Sequence, residues 1–177
     1  MIRTGPQQAR SWCREQRARG RALGFVPTMG ALHEGHLELV RRAKRENEAV
    51  CVSVFVNPLQ FDDPRDLSAY PRDLDGDARL LAGAGNDLLF SGELEDFFPE
   101  HGPELARRGL AAIPREDPGP DAEGLEGAFR PGHFAGVATI CRRLFECVDP
   151  TRAYFGEKDF QQTLVVRHLA RRLGFPQ

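Results

Sequence analysis

Apolar residues along this chain follow two periods, one typical of buried strands and one typical of amphipathic helices. The run Ala49–Val56 is almost continuously apolar and β-branched, which predicts a parallel strand buried on both faces. In the stretch 134–148, apolar residues recur every three or four positions, which predicts a helix with one buried face. The same patterns, with glycine and proline as stops, predict further strands at Ala22–Val26, Asp87–Phe90 and Arg152–Phe155 and further helices at Pro6–Arg19, Leu37–Glu46, Asp73–Ala84 and Asp159–Leu173.

The order of these elements predicts the fold class. Strands alternate with helices, and connections of this length between strands require right-handed crossovers and a parallel sheet. We therefore expect an α/β fold, a Rossmann-like parallel sheet with helices on both faces in three α/β/α layers. A chain of 177 residues that is 41% hydrophobic has enough volume for a proper core, so we expect one domain, residues 1–177.

The middle of the chain shows weaker patterns. Ser91–Glu100 predicts one short helix that ends near its proline, and Gly76 is expected to interrupt the helix predicted at Asp73–Ala84. Glycine, proline and acidic residues are frequent between Gly102 and Gly127. Within that stretch, residues 113–123 predict a mobile loop or an irregular edge segment.

Charge and cysteine content narrow the function classes. The formal net charge of −2 gives no reason to expect a nucleic-acid partner. The four cysteines form no CxxC pair, and two lie in apolar strand or helix patterns, which favours reduced core thiols in a cytosolic protein. No signal peptide is visible, and the longest apolar run is too short to span a membrane. We therefore expect a cytoplasmic protein with no membrane partner.

The first candidate site follows the strand predicted at Ala22–Val26. There the chain makes a glycine-containing turn into a helix, with His33 and His36 at the junction. Free backbone N–H groups and the helix dipole at such a junction favour phosphate, and glycines let a ligand approach the backbone. Two imidazoles can donate hydrogen bonds to a phosphoryl oxygen. The alternatives are solvated or capping histidines and, because HxxH also suits metals, a metal site.

Two further motifs follow other predicted strands. Asn57–Gln60 comes after the second strand and Gly156–Asp159 after the last. Carboxyl ends of parallel strands meet at one sheet edge, where ligands bind in open α/β sheets. We therefore predict that one cleft at this edge is lined by His33, His36, Gln60 and Lys158.

Several blocks of sequence carry a resemblance to a known family. They are Pro27–His36, Phe55–Phe61, Tyr70–Arg72, Leu125–Gly127, Arg130–Phe134 and Tyr154–Gln162. The first block resembles the HxGH signature of the nucleotidyltransferase superfamily, and all six, in order, resemble the pantothenate synthetase (pantoate–β-alanine ligase) family. The resemblance extends from about Gly20 to the end of the chain and is looser before it.

The resemblance implies a two-step ligation. The carboxylate of pantoate attacks the α-phosphorus of ATP, which releases pyrophosphate and leaves a pantoyl-adenylate. The amine of β-alanine then displaces AMP to give pantothenate. It also implies that Mg²⁺ accompanies the ATP phosphates, that no protein residue forms a dedicated metal site, and that the protein is a homodimer.

The resemblance also assigns residues. The ATP-binding set is Met29, Gly30, Ala31, Leu32, His33, Glu34, Gly35, His36, Gly156, Glu157, Lys158 and Asp159. The catalytic set is His36, regarded as the acid, with His33 and Lys158. The set for pantoate and β-alanine is Gln60, Gln162, Arg130 and His133, where Arg130 and His133 could instead be loop residues. Gln162 is then expected to line the same cleft as His33, His36, Gln60 and Lys158. Gln161 is expected to be structural, and Asp159 could also cap the last helix.

One departure from the family bears on activity. Pantothenate synthetases are longer, and their smaller carboxyl-terminal domain places a Ser-Ser-Arg-type segment over the ATP phosphates; no such segment occurs here. We therefore expect an excised amino-terminal domain or a natural fragment that binds substrates but is catalytically impaired. Two other hypotheses stay open, namely a different HxGH nucleotidyltransferase acting on a phosphorylated substrate and a nucleotide-binding module without catalysis.

Overall fold

A computed structural model describes residues 2–175, and within them the chain forms one five-stranded sheet flanked by helices. The strands are β1 Ile2–Thr4, β2 Leu23–Thr28, β3 Ala49–Val54, β4 Leu88–Phe90 and β5 Arg152–Ala153. The α-helices are α1 Pro6–Ala18, α2 Glu34–Glu46, α3 Pro64–Ala69, α4 Leu74–Ala82, α5 Leu94–Phe97, α6 Gly102–Arg108, α7 Leu125–Phe129, α8 His133–Val148 and α9 Phe160–Arg172.

The sheet has the strand order β1-β4-β3-β2-β5, and every pairing in it is parallel. The chain winds from β2 through β3 to β4 and then returns to place β5 on the other side of β2. The winding direction therefore reverses between β2 and β5, where doubly wound sheets open a crevice for ligands. The predicted Rossmann-like parallel sheet is confirmed.

Helices cover both faces of the sheet, which confirms the three-layer prediction. Alternate side chains of β3 point to opposite faces, as the period of a strand requires. Cys51 and Phe55 pack with α1, α8 and α9, while Val50 and Val52 pack with α2 and α4. The four cysteines are free, and three of them are buried.

The structure corrects several element predictions. Strand β1 was not predicted, because its three residues are exposed or half-buried and carry no apolar pattern. Helix α2 begins at Glu34 rather than Leu37, because the side chain of His33 accepts a hydrogen bond from its first turn. Helix α4 is not interrupted at Gly76. A Cβ there would lie 2.2 Å from Asp73 Oδ2, so the glycine makes room for the aspartate that caps the helix.

The segment 113–123, predicted as a mobile loop or an irregular edge, has no strand and is tied to its surroundings by side chains. Arg115 Nη1 donates to the carbonyl of Leu59 over 2.6 Å, and the amide of Glu116 donates to Thr139 Oγ1 over 2.9 Å. Gln161 on α9 donates to the main-chain carbonyls of Asp121 and Glu123 in the segment and of Gly124 directly after it. The amide of Gln161 is thus structural, as expected.

Candidate active site

Three turns leave the same edge of the sheet, each after the carboxyl end of a strand. The histidine turn, residues 29–36, follows β2. The Gln60 turn, residues 57–60, follows β3, whose Val54 lies opposite Thr28 of β2. The segment Gly156–Asp159 follows β5, which pairs with the other side of β2. The shared edge predicted from the sequence is therefore present.

The histidine turn uses its own backbone donors, contrary to the expectation that they are free for phosphate. Gly30 and Ala31 have positive φ angles of 85° and 52°, which is unusual for alanine. The amide of Gly30 donates to Thr28 Oγ1 over 3.2 Å. The amides of Ala31 and Leu32 donate to Asp77, at 3.2 and 2.8 Å. Since these N–H groups are engaged, the side chains are left to meet an anion.

Asp77 holds the histidine turn in place, and the sequence did not reveal this role. It lies on α4, is 4% exposed, and its two carboxylate oxygens hold the left-handed part of the histidine turn. A Cβ on Gly30 would come within 2.8 Å of Asp77 Oδ2, so this approach requires glycine there. The signal that could have found it is its place in the apolar stripe 74, 77, 78 and 81 of α4, where a carboxylate needs a partner.

The two imidazoles lie together at the start of α2. Their ring centroids are 4.2 Å apart, and the rings are tilted by 48°. His33 Nδ1 accepts from the amide of Gly35 over 3.1 Å, and His36 Nδ1 accepts from the amide of His33 over 3.4 Å. A Cβ on Gly35 would meet the His33 ring at 2.9 Å, which explains the glycine between the histidines. The capping hydrogen bonds considered for the histidines are therefore present, and they fix the orientation of both rings.

This arrangement determines which nitrogen of each ring can meet a ligand. An Nδ1 that accepts a hydrogen bond carries no proton, so a neutral ring carries its proton on Nε2. Burial, and then the neighbouring His33, lower the pKa of His36 below its usual value of 6.5. Near pH 7 His36 is therefore a neutral N–H donor.

The segment after β5 brings charge to the histidine turn. Lys158 and Asp159 are exposed and act electrostatically on His36, Lys158 to lower its pKa and Asp159 to raise it. None of residues 2–175 forms an ion pair with Lys158. Asp159 occupies the cap position of α9, but its side chain accepts no capping hydrogen bond, so the capping role considered for it is wrong.

Gln60 is 8% exposed and is held by its neighbours. Asn57 Nδ2 donates to Gln60 Oε1 over 2.9 Å and to the carbonyl of Gly136 on α8 over 3.2 Å. A Cβ on Gly136 would lie 2.1 Å from the carbonyl oxygen of Leu59, so the turn and helix meet only at a glycine. Within the described part of the chain, Gln60 Nε2 has no acceptor and is available to a ligand.

His133 is buried against the Gln60 turn, and Arg130, whose side chain is 34% exposed, lies beside it. His133 is 5% exposed, and its Nδ1 lies 2.8 Å from the carbonyl oxygen of Gln60. Arg130 reaches His133 Nε2 at 3.4 Å and the same carbonyl at 3.4 Å, and it pairs with Glu126 at 2.7 Å. Both ring nitrogens are engaged within the protein. No ring nitrogen of His133 is therefore left for the direct substrate contact expected of it, while the contact expected of Arg130 stays a prediction.

The other predicted residues lie at this edge with looser connections. Gln162 is half-buried on the first turn of α9, and its side chain bonds to no residue that the structure describes. Glu34 is exposed and pairs with Arg41. Met29 and Gly30 line a cavity of about 380 Å³ that extends towards β4. Leu32 is buried and Glu157 exposed. Whether Gln60 and Gln162 share one cleft with the histidines stays a prediction.

Fold and site together define the class. A parallel sheet with its switch point between β2 and β5, and an HxGH turn at that point, is the arrangement of an α/β protein of the HxGH nucleotidyltransferase type. The family model described as Pantoate-beta-alanine ligase matches residues 1–177, including the first 19 residues, where the sequence resemblance was loose. The chain belongs to the pantoate–β-alanine ligase family.

Individual relatives agree with this assignment. The chain is 57% identical to a pantothenate synthetase of Thermus thermophilus over 154 residues, which are 87% of this chain and 52% of that protein. It is 49% identical to the enzyme of Sinorhizobium medicae over 162 residues, 92% of this chain and 52% of that protein. The chain thus spans about half the length of the curated relatives it matches.

Solved structures show the same fold. A crystal structure of the Thermus thermophilus pantothenate synthetase superposes with a TM-score of 0.84 at 50% identity, covering 99% of this chain and 59% of that one. The pantoate–β-alanine ligase of Francisella tularensis, complexed with beta-gamma ATP and β-alanine, gives 0.87 at 38% identity, covering 99% of this chain and 64% of that one. No helix in the described part of the chain is long and apolar enough to cross a membrane.

Proposed function

We propose that this chain supplies the ATP- and pantoate-binding part of a pantoate–β-alanine ligase. The observation that supports this proposal most is the arrangement of hydrogen-bond donors and acceptors on the two imidazole rings of the histidine turn. Both Nδ1 atoms accept from backbone amides, which leaves two Nε2–H donors beside Lys158, a cation without an ion pair among the described residues. Such a set suits a polyphosphate, and the Francisella tularensis relative was solved with an ATP compound.

In the first step, a pantoate carboxylate oxygen forms a bond to the α-phosphorus, and the bond from that phosphorus to the bridging oxygen of pyrophosphate breaks. Negative charge grows on the α-phosphoryl oxygens and on the departing pyrophosphate. His36, as a neutral ring, and His33 would stabilise that charge by donating hydrogen bonds from Nε2, and Lys158 would do so as a cation. This role for His36 differs from a proton-donating acid, because its pKa is lowered by burial.

In the second step, the amine of β-alanine attacks the acyl carbon of the adenylate, and the bond from that carbon to the AMP oxygen breaks. The amine loses a proton as the amide of pantothenate forms. Gln60 Nε2, which lacks an acceptor among the described residues, and Gln162 would bind the hydroxyl and carboxylate oxygens of pantoate. These contacts would fix the carboxylate in line with the α-phosphorus.

Mg²⁺ fits this site as an ion carried by the phosphates. No group of three or more metal-binding side chains comes together within residues 2–175. Mg²⁺ usually keeps several waters and binds one or two carboxylates together with substrate phosphates. Asp159, exposed beside His36, is the carboxylate placed to contribute. The bound ion would neutralise phosphate charge.

Pyrophosphate release separates the competing hypotheses. The chain would be incubated with ATP and Mg²⁺, and then with added pantoate or with phosphorylated alcohols. Release that requires pantoate, with pantothenate formed on adding β-alanine, is the expected outcome. Release that requires a phosphorylated substrate would indicate a different nucleotidyltransferase. Binding of ATP with no release under any condition would indicate a module without catalysis.

The rate of that reaction is expected to be low for this 177-residue chain. Lys158 and its neighbours are exposed, and charge interactions facing bulk water are several-fold weaker than in a closed site. The comparison is turnover of this chain against the longer Thermus thermophilus relative. Equal rates would refute the expected impairment. Homodimer formation and a cytoplasmic location also stay predictions, the first checked by sedimentation.

A further inference from the structure

The contact between His133 and the Gln60 turn fixes the protonation of the ring. A carbonyl oxygen only accepts, so His133 Nδ1, 2.8 Å from the Gln60 oxygen, must carry the hydrogen. In a neutral ring Nε2 is then an acceptor, and the Arg130 guanidinium, 3.4 Å away, can only donate to it. The two contacts agree on a single tautomer, with the proton on Nδ1.

The same contact restrains Gln60 at a second point. Its side-chain carbonyl is held by Asn57 over 2.9 Å, and its main-chain carbonyl is held by His133. With both oxygens fixed, the direction of the side chain is set, and Nε2 is the polar atom left for a ligand. His133 itself is 5% exposed and begins α8, whose Gly136 contacts the adjoining Leu59.

We propose that His133 is a positioning residue that aims the Gln60 amide at the hydroxy-acid substrate, and that Arg130 acts behind it by fixing the Nδ1–H tautomer. The inference rests on the proposed function, because Gln60 is taken as the pantoate contact. It replaces the direct substrate contact first expected of this pair. Neither residue then touches the reacting atoms, and their substitution changes pantoate binding through Gln60 alone.

Two variants of His133 separate positioning from packing. In His133→Asn the side-chain amide N–H replaces Nδ1–H, whereas His133→Leu has no donor. Titration of the full chain with pantoate and, separately, with a non-hydrolysable ATP analogue gives the two dissociation constants. We expect His133→Leu to weaken pantoate about tenfold, the scale of one net hydrogen bond in a binding site, and His133→Asn to weaken it by no more than about threefold. The ATP analogue should bind both variants as it binds the unsubstituted chain.

Nuclear magnetic resonance without substrate keeps this test independent of the proposed function. Nitrogen shifts of the His133 ring should show the Nδ1–H tautomer at neutral pH. The side-chain amide resonances of Gln60 should shift in His133→Leu and return towards their original position in His133→Asn. Gln161, whose amide holds the segment near α7, is the matched control and should not change.

The proposed function and the positioning role of His133 would be refuted by different measurements. If the unsubstituted chain binds no pantoate, the proposed function fails, while the tautomer and the Gln60 resonances still decide whether His133 positions that side chain. An Nε2–H tautomer, unchanged Gln60 resonances in His133→Leu, or equal damage from both variants would overturn the positioning role. If His133→Leu does not fold, the tautomer and the His133→Asn titration decide alone.

Discussion

The histidine turn and the Gln60 turn follow neighbouring strands, and side chains from elsewhere in the protein hold the main chain of each. The main chain donates hydrogen bonds in the histidine turn and accepts them in the Gln60 turn. The histidine turn engages its backbone N–H groups with Asp77, a carboxylate from the α2/α4 layer. The Gln60 turn engages its backbone carbonyls with His133 and Arg115, donors from the α8 side of the sheet. In both turns, main-chain groups are held by hydrogen bonds within the protein. Ligands therefore meet side chains, and each half of the site is positioned from a different helical layer.

Removing the carboxylate that holds the histidine turn should have the largest effect. Asp77→Ala leaves the buried amide of Leu32 without an acceptor, at a cost of about 1–3 kcal/mol, and the partly buried amide of Ala31 at a smaller cost. It also releases the left-handed Gly30 and Ala31. We expect pyrophosphate release to fall by roughly three orders of magnitude, because both imidazoles lose their placement. Asp75→Ala on the same helix removes only an exposed pair with Arg3 and is the control.

The measurements are urea unfolding and pantoate-dependent pyrophosphate release. Pantoate affinity should be retained in folded Asp77→Ala, since the Gln60 turn is anchored elsewhere. If folded Asp77→Ala loses pantoate binding together with adenylation, the two turns are not positioned independently of each other.

The second prediction concerns His36 itself. His36→Ala removes one Nε2–H donor and should slow adenylate formation by about two to three orders of magnitude, comparable to losing one oxyanion donor. Pantoate affinity should change little, because this contact strengthens as charge develops. Single-turnover pyrophosphate release measures the step, and His101→Ala, near the surface beside Glu100, is the control. Normal turnover with weakened pantoate binding would place His36 with the Gln60 turn instead.

Features set by local sequence patterns could be predicted from the sequence, whereas features set by contacts between distant residues could not. Strand β3 and helix α8 were evident because their patterns are local and continuous. Strand β1 was missed because three polar or exposed residues become a strand only by pairing with β4. The motifs located the three turns correctly. The residues that hold these turns could not be recognised from the sequence, because Asp77 bonds to a residue 45 positions earlier and His133 to one 73 positions earlier.

A third prediction separates ligands rather than turns. Gln60→Ala should weaken pantoate about tenfold with little change for ATP, because an amide suits a hydroxy acid and cannot neutralise phosphate. Lys158→Ala should do the reverse, since Lys158 is exposed and unpaired among the described residues. Calorimetric titration of each variant with each ligand gives the four constants. If both substitutions weakened binding of the same ligand, Gln60 and Lys158 would not bind separate ligands as predicted.

The smallest expected effect is a dependence of stability on pH that both turns share. Burial lowers the pKa of His36 and of His133 below the usual 6.5. Between each lowered pKa and 6.5 the unfolded chain binds more protons than the folded chain, so the free energy of unfolding rises with pH in that window and falls as the solution is acidified from pH 6.5. Lowering a pKa by one pH unit changes that free energy by at most about 1.4 kcal/mol, and by less for His36, which is only partly buried.

Carboxylates whose pKa is lowered by arginine partners, such as Glu38, Glu46 and Asp63, lose stabilisation only below about pH 4.5, so the interval above pH 5 belongs to the histidines. Urea unfolding at pH 7.5, 6.5 and 5.5 measures the slope. His133→Asn should remove the part due to the Gln60 turn, and His36→Gln the part due to the histidine turn. Because the two rings lie on different turns, the two reductions should add in the double variant. A double variant with no further reduction than either single one would show that the turns titrate as one coupled unit.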